Sequence, residues 1–326
     1  MNVDRARNVD RAMNVDRAMN VDRAMNFDRA QLRALAAVLD EGTFEAAAAR
    51  LHVTPSAVSQ RVRALEQQAG RVLVVRARPC RATEPGAVLA RLAGQLALLE
   101  HDAAAQLGGR SAGEDGARAA SATRLAIAVN ADSLSSWFPA ALVGLPDDVV
   151  VDLRREDQDR TAELLRDGTV TAAVTADEHA VQGCRVRPLG AMRYVAVAAP
   201  DVHERWFADG PTAHALERAP VIAFNRTDAL QHRFAARLAG RQVAPPVHHV
   251  PSNSAFVELL LAGLGWGMVP QGAAERPVAD GSLVELAREP YLDVPLYWQH
   301  WALRTATLDD LTARVVRAAT AALRPV

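Results

Sequence analysis

Lysine is missing from this chain, and all 37 basic residues are arginine. We read that, together with the abundance of alanine, as the mark of GC-rich coding and not as chemistry. Cysteine is nearly missing too. Cys80 and Cys184 stand alone and far apart, which argues against a disulfide framework or a cysteine-based zinc site. No basic stretch leads into an apolar one near the start, and no apolar run reaches the roughly 18 residues that a membrane span needs. We therefore expect a soluble, cytoplasmic protein with no membrane partner. A large excess of either charge is also lacking. The formal net charge of −1 argues against a wholesale polyanion binder. His248-His249 has no second ligand pair at metal spacing, so no metal or cofactor is expected. No G-x-S-x-G elbow, zinc helix or Walker loop occurs. GLGWG, Gly263 to Gly267, follows an expected helix and precedes an expected strand, the reverse of a phosphate loop, and reads as a helix end and turn. No catalytic constellation emerges, and an enzyme is not expected.

What is present is apolar and unevenly charged. Half of the 326 residues are hydrophobic, which marks a globular chain, and the length suffices for one large or two to three ordinary domains. From Arg50 to Thr83 there are seven Arg and one Glu, a local balance of +6 that leaves −7 for the rest of the chain. Any nucleic-acid surface should lie in that segment.

The chain opens with tandem copies of MNVDRA, ending in MNFDRA at Met25–Ala30. A six-residue period advances about 240° per copy on a helix, so Val3, Val9, Val15 and Val21 build no apolar stripe. Each copy is electrically neutral and makes a poor DNA-binding arm. We expect residues 1–24 to be a disordered extension born of tandem duplication. Met1, Met13, Met19 and Met25 would be alternative starts, and the functional unit would run from Met25.

Beyond the repeats, Leu32, Leu35, Ala36 and Leu39 predict a helix capped by Asp28 and ended by Gly42. Thr43 can cap a second helix carrying Phe44, Ala47, Ala48 and Leu51. Thr54 then caps a third, with Pro55 at its first position and Gly70 at its end. On that third helix Val58, Val62, Leu65 and Ala69 share one face, and Ser56, Ser59, Gln60, Arg63 and Gln67 share the other. Two helices joined by a tight turn, the second showing small polar groups and arginine, form a helix-turn-helix. Ser56, Ser59 and Gln60 are placed to meet base edges in the major groove and Arg63 to reach guanine or phosphate, with Thr54 beside them as a further DNA-binding candidate. Val72–Val75 and the basic loop through Arg76, Arg78 and Arg81 read as a wing holding the DNA backbone. A long helix to about Leu107 follows, with a seam of Leu89, Leu92, Leu96 and Leu99 that suits a partner helix. The small-residue segment 108–122 reads as a domain linker. After it, strands at 125–129, 149–153 and 170–175 alternate with helices, and the same grammar resumes near 194–198, 221–224, 255–262 and 295–301. This predicts a mostly parallel α/β sheet in two lobes.

FEAAAARLHVTPSAVSQRVRALEQQAG followed by VRARPCRATEPG resembles the winged helix of LysR-type transcriptional regulators. The resemblance runs from Met25 over essentially the whole chain. It implies an α/β multi-domain protein: a winged helix-turn-helix (25–85), a linker helix for dimerisation (86–107) and an effector domain like a two-lobed periplasmic binding protein (123–326). Lobe I would hold about 123–192 and 296–326, and lobe II about 193–295. A glutamine common in the family stands as Pro55 here, which shifts base reading to Ser56, Ser59 and Gln60. IAVNADSLSSWFPAAL, FNRTDALQHRF, NSAFVELLLAGLGWGMVP and LYWQHWAL resemble the ArgP/LysG branch. This implies a homodimer or homotetramer on a DNA operator, sensing lysine or arginine, controlling an amino acid exporter gene and meeting RNA polymerase as a further partner.

Residue chemistry offers a place for such an effector. Asn130, Asp132 and Ser133 follow a strand at the carboxyl edge of the sheet, where open α/β folds bind ligands. Helix-start N–H groups with Ser133 suit an α-carboxylate. Asp132, or Glu156 and Asp157, could face a cation, and Trp137 and Trp266 could stack on it. Thr175, Asn253 and Ser254 open the other strand-to-helix loops. Bland roles stay open: Asp132 as a helix N-cap, Glu156 and Asp157 as solvated acids. A different reading of the whole chain, an architectural or replication-associated DNA binder with little effector response, also stays open.

Overall fold

The computed structural model describes residues 26–107, 122–155 and 158–325. The repeats before Met25, segment 108–121 and the pair Glu156-Asp157 lie outside the described residues. The chain forms two compact units, and the main boundary falls between Ala97 and Leu98. That is ahead of segment 108–122, where the sequence reading places it.

The first unit starts with α1 (Arg29–Glu41), α2 (Phe44–Arg50) and α3 (Pro55–Ala69). Each begins where a side chain satisfies a helix-start N–H: Asp28 accepts from Gln31 N at 3.0 Å, Thr43 from Ala46 N at 3.1 Å, and Thr54 from Ala57 N at 3.2 Å. Gly42 and Gly70 end α1 and α3 in the left-handed region. Val58, Val62 and Leu65 are fully buried against Leu35 and Val38 of α1 and Ala47 of α2. Burial of each such Val or Leu is worth about 1.5–3 kcal/mol. That apolar stripe fixes which face of α3 is left outside.

The wing is shorter than expected. β1 (Val74–Val75) pairs antiparallel with β2 (Arg81–Ala82), whereas Val72 is 66% exposed and its carbonyl accepts from Thr83 Oγ1. The next helix, α4 (Glu84–Gln106), starts two residues before position 86, because Thr83 Oγ1 already accepts from Gly86 N at 3.1 Å. At Gly86 a Cβ would stand 1.9 Å from the Leu73 carbonyl oxygen, so only glycine lets α4 sit there. Leu89 and Ala93 are buried in this unit's own core. The expected leucine seam is thus partly spent there, leaving Val88 and Leu99 as exposed apolar positions.

In the second unit, β3 (Thr123–Val129), α5 (Ala131–Ser135), α6 (Pro139–Leu142), β4 (Val149–Arg155), α7 (Gln158–Arg166) and β5 (Ala172–Thr175) come first. A long strand β6 (Cys184–Ala198) leads to α8 (Pro200–Phe207), α9 (Ala213–Arg218), β7 (Val221–Ala223), α10 (Leu230–Ala239) and β8 (Val247–His249). Then come α11 (Asn253–Leu261), β9 (Gly267–Pro270), α12 (Gln271–Ala279), β10 (Val284–Glu285), β11 (Tyr291–Trp301) and α13 (Ala306–Ala322).

The main sheet has the order β10-β6-β11-β5-β3-β4, with β9 also on β6. The expectation of a mostly parallel sheet is corrected. Only β4-β3-β5 is parallel in it, and β6, β9, β10 and β11 pair antiparallel. β6 and β11 run side by side from Tyr291↔Val195 to Trp301↔Cys184 and so cross both lobes. Their register shifts between Leu296 and Tyr297, close to the lobe boundaries read from the sequence. β7 and β8 form a small parallel pair, and GLGWG makes the turn from α11 into β9, as read. Trp266, a candidate stacking residue, is instead fully buried in the core, its ring 6.0 Å from that of Phe234.

Candidate functional site

Two surfaces carry polar groups that the cores do not use. The first is the outer face of α3. Ser56, Gln60, Arg63 and Gln67 are exposed and Ser59 is half-buried, as the apolar stripe on the opposite side requires. Thr54 is exposed but spends its side-chain oxygen as the helix cap. In the wing, Arg76, Arg78 and Arg81 are all exposed, and the Arg76 guanidinium lies 4.8 Å from the centre of the Phe44 ring. That cation–π contact ties the wing to α2 and keeps its charge outward. One arginine of the basic segment is withdrawn: Arg50 pairs with Asp40 at 2.8 Å and Glu41 at 3.2 Å. What remains is one helix with a donor- and acceptor-rich face beside a cationic loop, a surface that can read a major groove and clamp its phosphates.

The second surface is a cleft of about 1080 Å³ in the second unit. Asp132 stands in it on α5, at the carboxyl end of β3. Asn130, not Asp132, is the N-cap of α5, accepting from Ser133 N at 2.8 Å. This corrects the capping role considered for Asp132 and leaves its carboxylate for other partners. Tyr194 of β6 donates to Asp132 Oδ2 at 2.6 Å, and Asn253 Nδ2 at the start of α11 donates to Oδ1 at 3.0 Å. Asn253 also donates to Ser135 Oγ at 2.7 Å. Three hydrogen bonds thus tie α5 to β6 and α11.

A second carboxylate, Asp228, lines the same cleft from the loop before α10. Backbone N–H groups of Phe224 and Leu230 hold it at 2.8 and 3.0 Å. Burial, reinforced by the Asp228 charge, raises the Asp132 carboxyl above the usual carboxylate range, against the Tyr194 and Asn253 hydrogen bonds. Burial, with the Asp132 charge next, raises the Tyr194 phenol well above its ordinary value, so it stays a proton donor. Two acids that repel one another in a half-dry cleft form a site for a cation. Arg193 also borders the cleft, but its guanidinium donates from Nε and Nη2 to Asp293, at 2.8 and 2.7 Å.

Of the residues expected to hold an effector, Asn130, Asp132, Trp137 and Asn253 do line this cleft. Ser133 and Thr175 are buried beneath it: the Ser133 N–H is taken by Asn130, and Thr175 Oγ1 accepts from Asp177 N. The Asn130 cap thus occupies one helix-start N–H, while the buried Ser133 Oγ has no hydrogen-bond partner among the described residues. Ser254 is exposed and faces Ser252. Glu156 and Asp157 lie outside the described residues. Sequence reasoning missed Tyr194, because it sits inside an apolar strand. It also missed Asp228, although Asn225-Arg-Thr-Asp228 carries the Asn-to-Asp turn signature that places a carboxylate at a helix start.

Comparison with known proteins assigns a domain family to each part of the chain. Residues 30–87 match the bacterial regulatory helix-turn-helix protein of the lysR family, and residues 118–320 match the LysR substrate binding domain. A crystal structure of ArgP from Mycobacterium tuberculosis is 49% identical with a TM-score of 0.80, covering 91% of this chain and 98% of that one. The lysine export transcriptional regulatory protein LysG of Corynebacterium glutamicum is 42% identical over 90% of this chain and 99% of its own length. A full-length structure of LysG from the same organism with bound effector Arg has a TM-score of 0.70 at 39% identity, covering 91% of this chain and all (100%) of that one.

Proposed function

Because this chain belongs to the LysR family of transcriptional regulators, we propose that it binds an operator through α3 and the wing and senses lysine or arginine in its cleft. The gene it controls would be that of an amino acid exporter. The observation that carries the effector reading is the pair of carboxylates, Asp132 and Asp228, brought into one cleft from opposite lobes. A guanidinium or ammonium between them offsets a repulsion that the cleft otherwise bears, and it interacts with both lobes at once. Such an effector favours one arrangement of the lobes over another, which is the condition for a ligand to shift an equilibrium. LysG of C. glutamicum, with its bound arginine and its name in lysine export, supports the choice of effector and target.

The exposed Val88 and Leu99 on α4 suit self-association as a dimer or dimer of dimers on a two-fold operator, with RNA polymerase met in the cytoplasm at the same promoter. Calorimetric titration of the full chain with lysine, arginine and histidine, alongside an operator footprint, tests the effector reading. Binding of arginine or lysine with a changed footprint is expected. Absence of binding by any basic amino acid would leave an architectural DNA binder as the better account.

A further inference from the structure

The carboxylate pair accounts for the cationic end of an effector and says nothing about its other end. Among the cleft-lining residues, two buried side-chain atoms have no hydrogen-bond partner in the described residues: the indole Nε1 of Trp137 and the amide Oε1 of Gln231. The two residues are 5% and 2% exposed. Trp137 lies between α5 and α6 of one lobe, and Gln231 is in the first turn of α10 of the other. An orphaned buried polar atom costs about 1–3 kcal/mol, and of the seven such atoms among the described residues these two belong to residues that line the cleft. Their chemistry is complementary. Indole N–H only donates, and an amide oxygen only accepts.

We propose that these two residues read the zwitterionic head of the effector. Trp137 Nε1–H donates to the α-carboxylate, and the Gln231 amide oxygen accepts from the α-ammonium. The inference rests on the basic amino acid reading above and adds what that reading leaves open. The cleft selects a free α-amino acid, not any cation of similar length, and the selection needs one residue from each lobe. A diamine or a guanidino acid satisfies the Asp132 and Asp228 end but leaves one orphan unpaired. Hydrogen bonds to charged groups are worth about 1.5–3 kcal/mol, so each lost contact corresponds to roughly 10-fold to 100-fold in affinity.

The test uses the full chain and three probes in calorimetry: arginine, agmatine, which lacks the carboxylate, and 5-guanidinopentanoate, which lacks the amine. In the wild type both truncated probes should bind at least about 10-fold more weakly than arginine. Trp137→Phe should weaken arginine by about that factor and leave agmatine unchanged. Gln231→Leu should weaken arginine and leave 5-guanidinopentanoate unchanged. Agmatine binding as tightly as arginine to the wild type would overturn the assignment without reference to any variant. An equal loss of arginine and of the matching truncated probe in a variant would also overturn it, because that is what a general packing defect produces. Failure of the wild type to bind arginine or lysine at all would instead sink the effector reading itself, so the two failures are distinct.

Discussion

Burial pushes the Asp132 carboxyl up, Asp228 adds to the push, and Tyr194 and Asn253 pull against it. A carboxyl whose folded pKa lies above its unfolded value of about 3.9 contributes stability that is present below that value and is lost as pH rises through the folded pKa. At neutral pH the ionised Asp132 is therefore a cost to the fold that a cationic effector can offset. Asp132→Asn should leave the melting temperature at pH 7 no lower than in the wild type, with any gain shrinking as pH falls toward about 4. The same variant should bind arginine at least 10-fold more weakly, on the order of one lost charge-assisted contact. Wild-type arginine affinity should fall on acidification at a higher pH than an exposed carboxylate would dictate. A variant that bound arginine as tightly as the wild type would remove Asp132 from the site. The position of Asp132 was legible in the sequence because it follows a strand directly. Its partner Tyr194, 62 residues away, was not, because nothing local marks one tyrosine of an apolar strand as facing an acid.

Elements whose ends are fixed by their own side chains were readable in full, and elements fixed by their neighbours only in part. Asp28, Thr43 and Thr54 start α1, α2 and α3 as their residue types imply. β6 and β11, by contrast, are held by pairing with each other from Cys184↔Trp301 to Val195↔Tyr291. Exposed Arg185 and Arg187 in one, and Asp293 in the other, break the apolar run that a strand reading relies on. On α3, Arg63→Ala should cost about 1–3 kcal/mol in operator binding and relax sequence preference, and equal loss on operator and random DNA would contradict base reading. In the wing, Arg78→Ala should weaken both DNAs alike and lower the salt slope by about 1. The crossing strands offer a stability test. Gly190 sits at the register shift of β6 and β11 with a φ of 125°, and a Cβ there would lie 2.6 Å from the Arg324 carbonyl oxygen. Strained backbone and a backbone clash together should make Gly190→Ala cost about 2 kcal/mol or more. Thermal melting of the full chain would show it, and an unchanged transition would mean that the C-terminal backbone yields freely.

Charge is divided across the molecule by task. The segment proposed to read DNA carries +6, the remainder carries −7, and the proposed effector cleft is lined by two acids. Those two proposed binding events belong to separate compact units, and communication between them is a coupling free energy. Such couplings are typically about 1–3 kcal/mol, or roughly 5-fold to 150-fold in affinity. The sequence could not supply this quantity, since it belongs to neither unit alone, although it did reveal both units by their different periodicities. Linkage nevertheless makes it measurable from either side. If saturating arginine changes the operator dissociation constant by some factor, saturating operator must change the arginine dissociation constant by the same factor at constant oligomeric state. Titrating the full chain with operator in the presence and absence of arginine, and with arginine in the presence and absence of operator, gives the two numbers independently. We expect them to agree and to fall in that range. A factor of one from both directions would mean that the effector does not act through DNA affinity. Arginine would then have to act by reshaping a DNA complex of unchanged strength, seen as an altered bend or footprint length at equal occupancy.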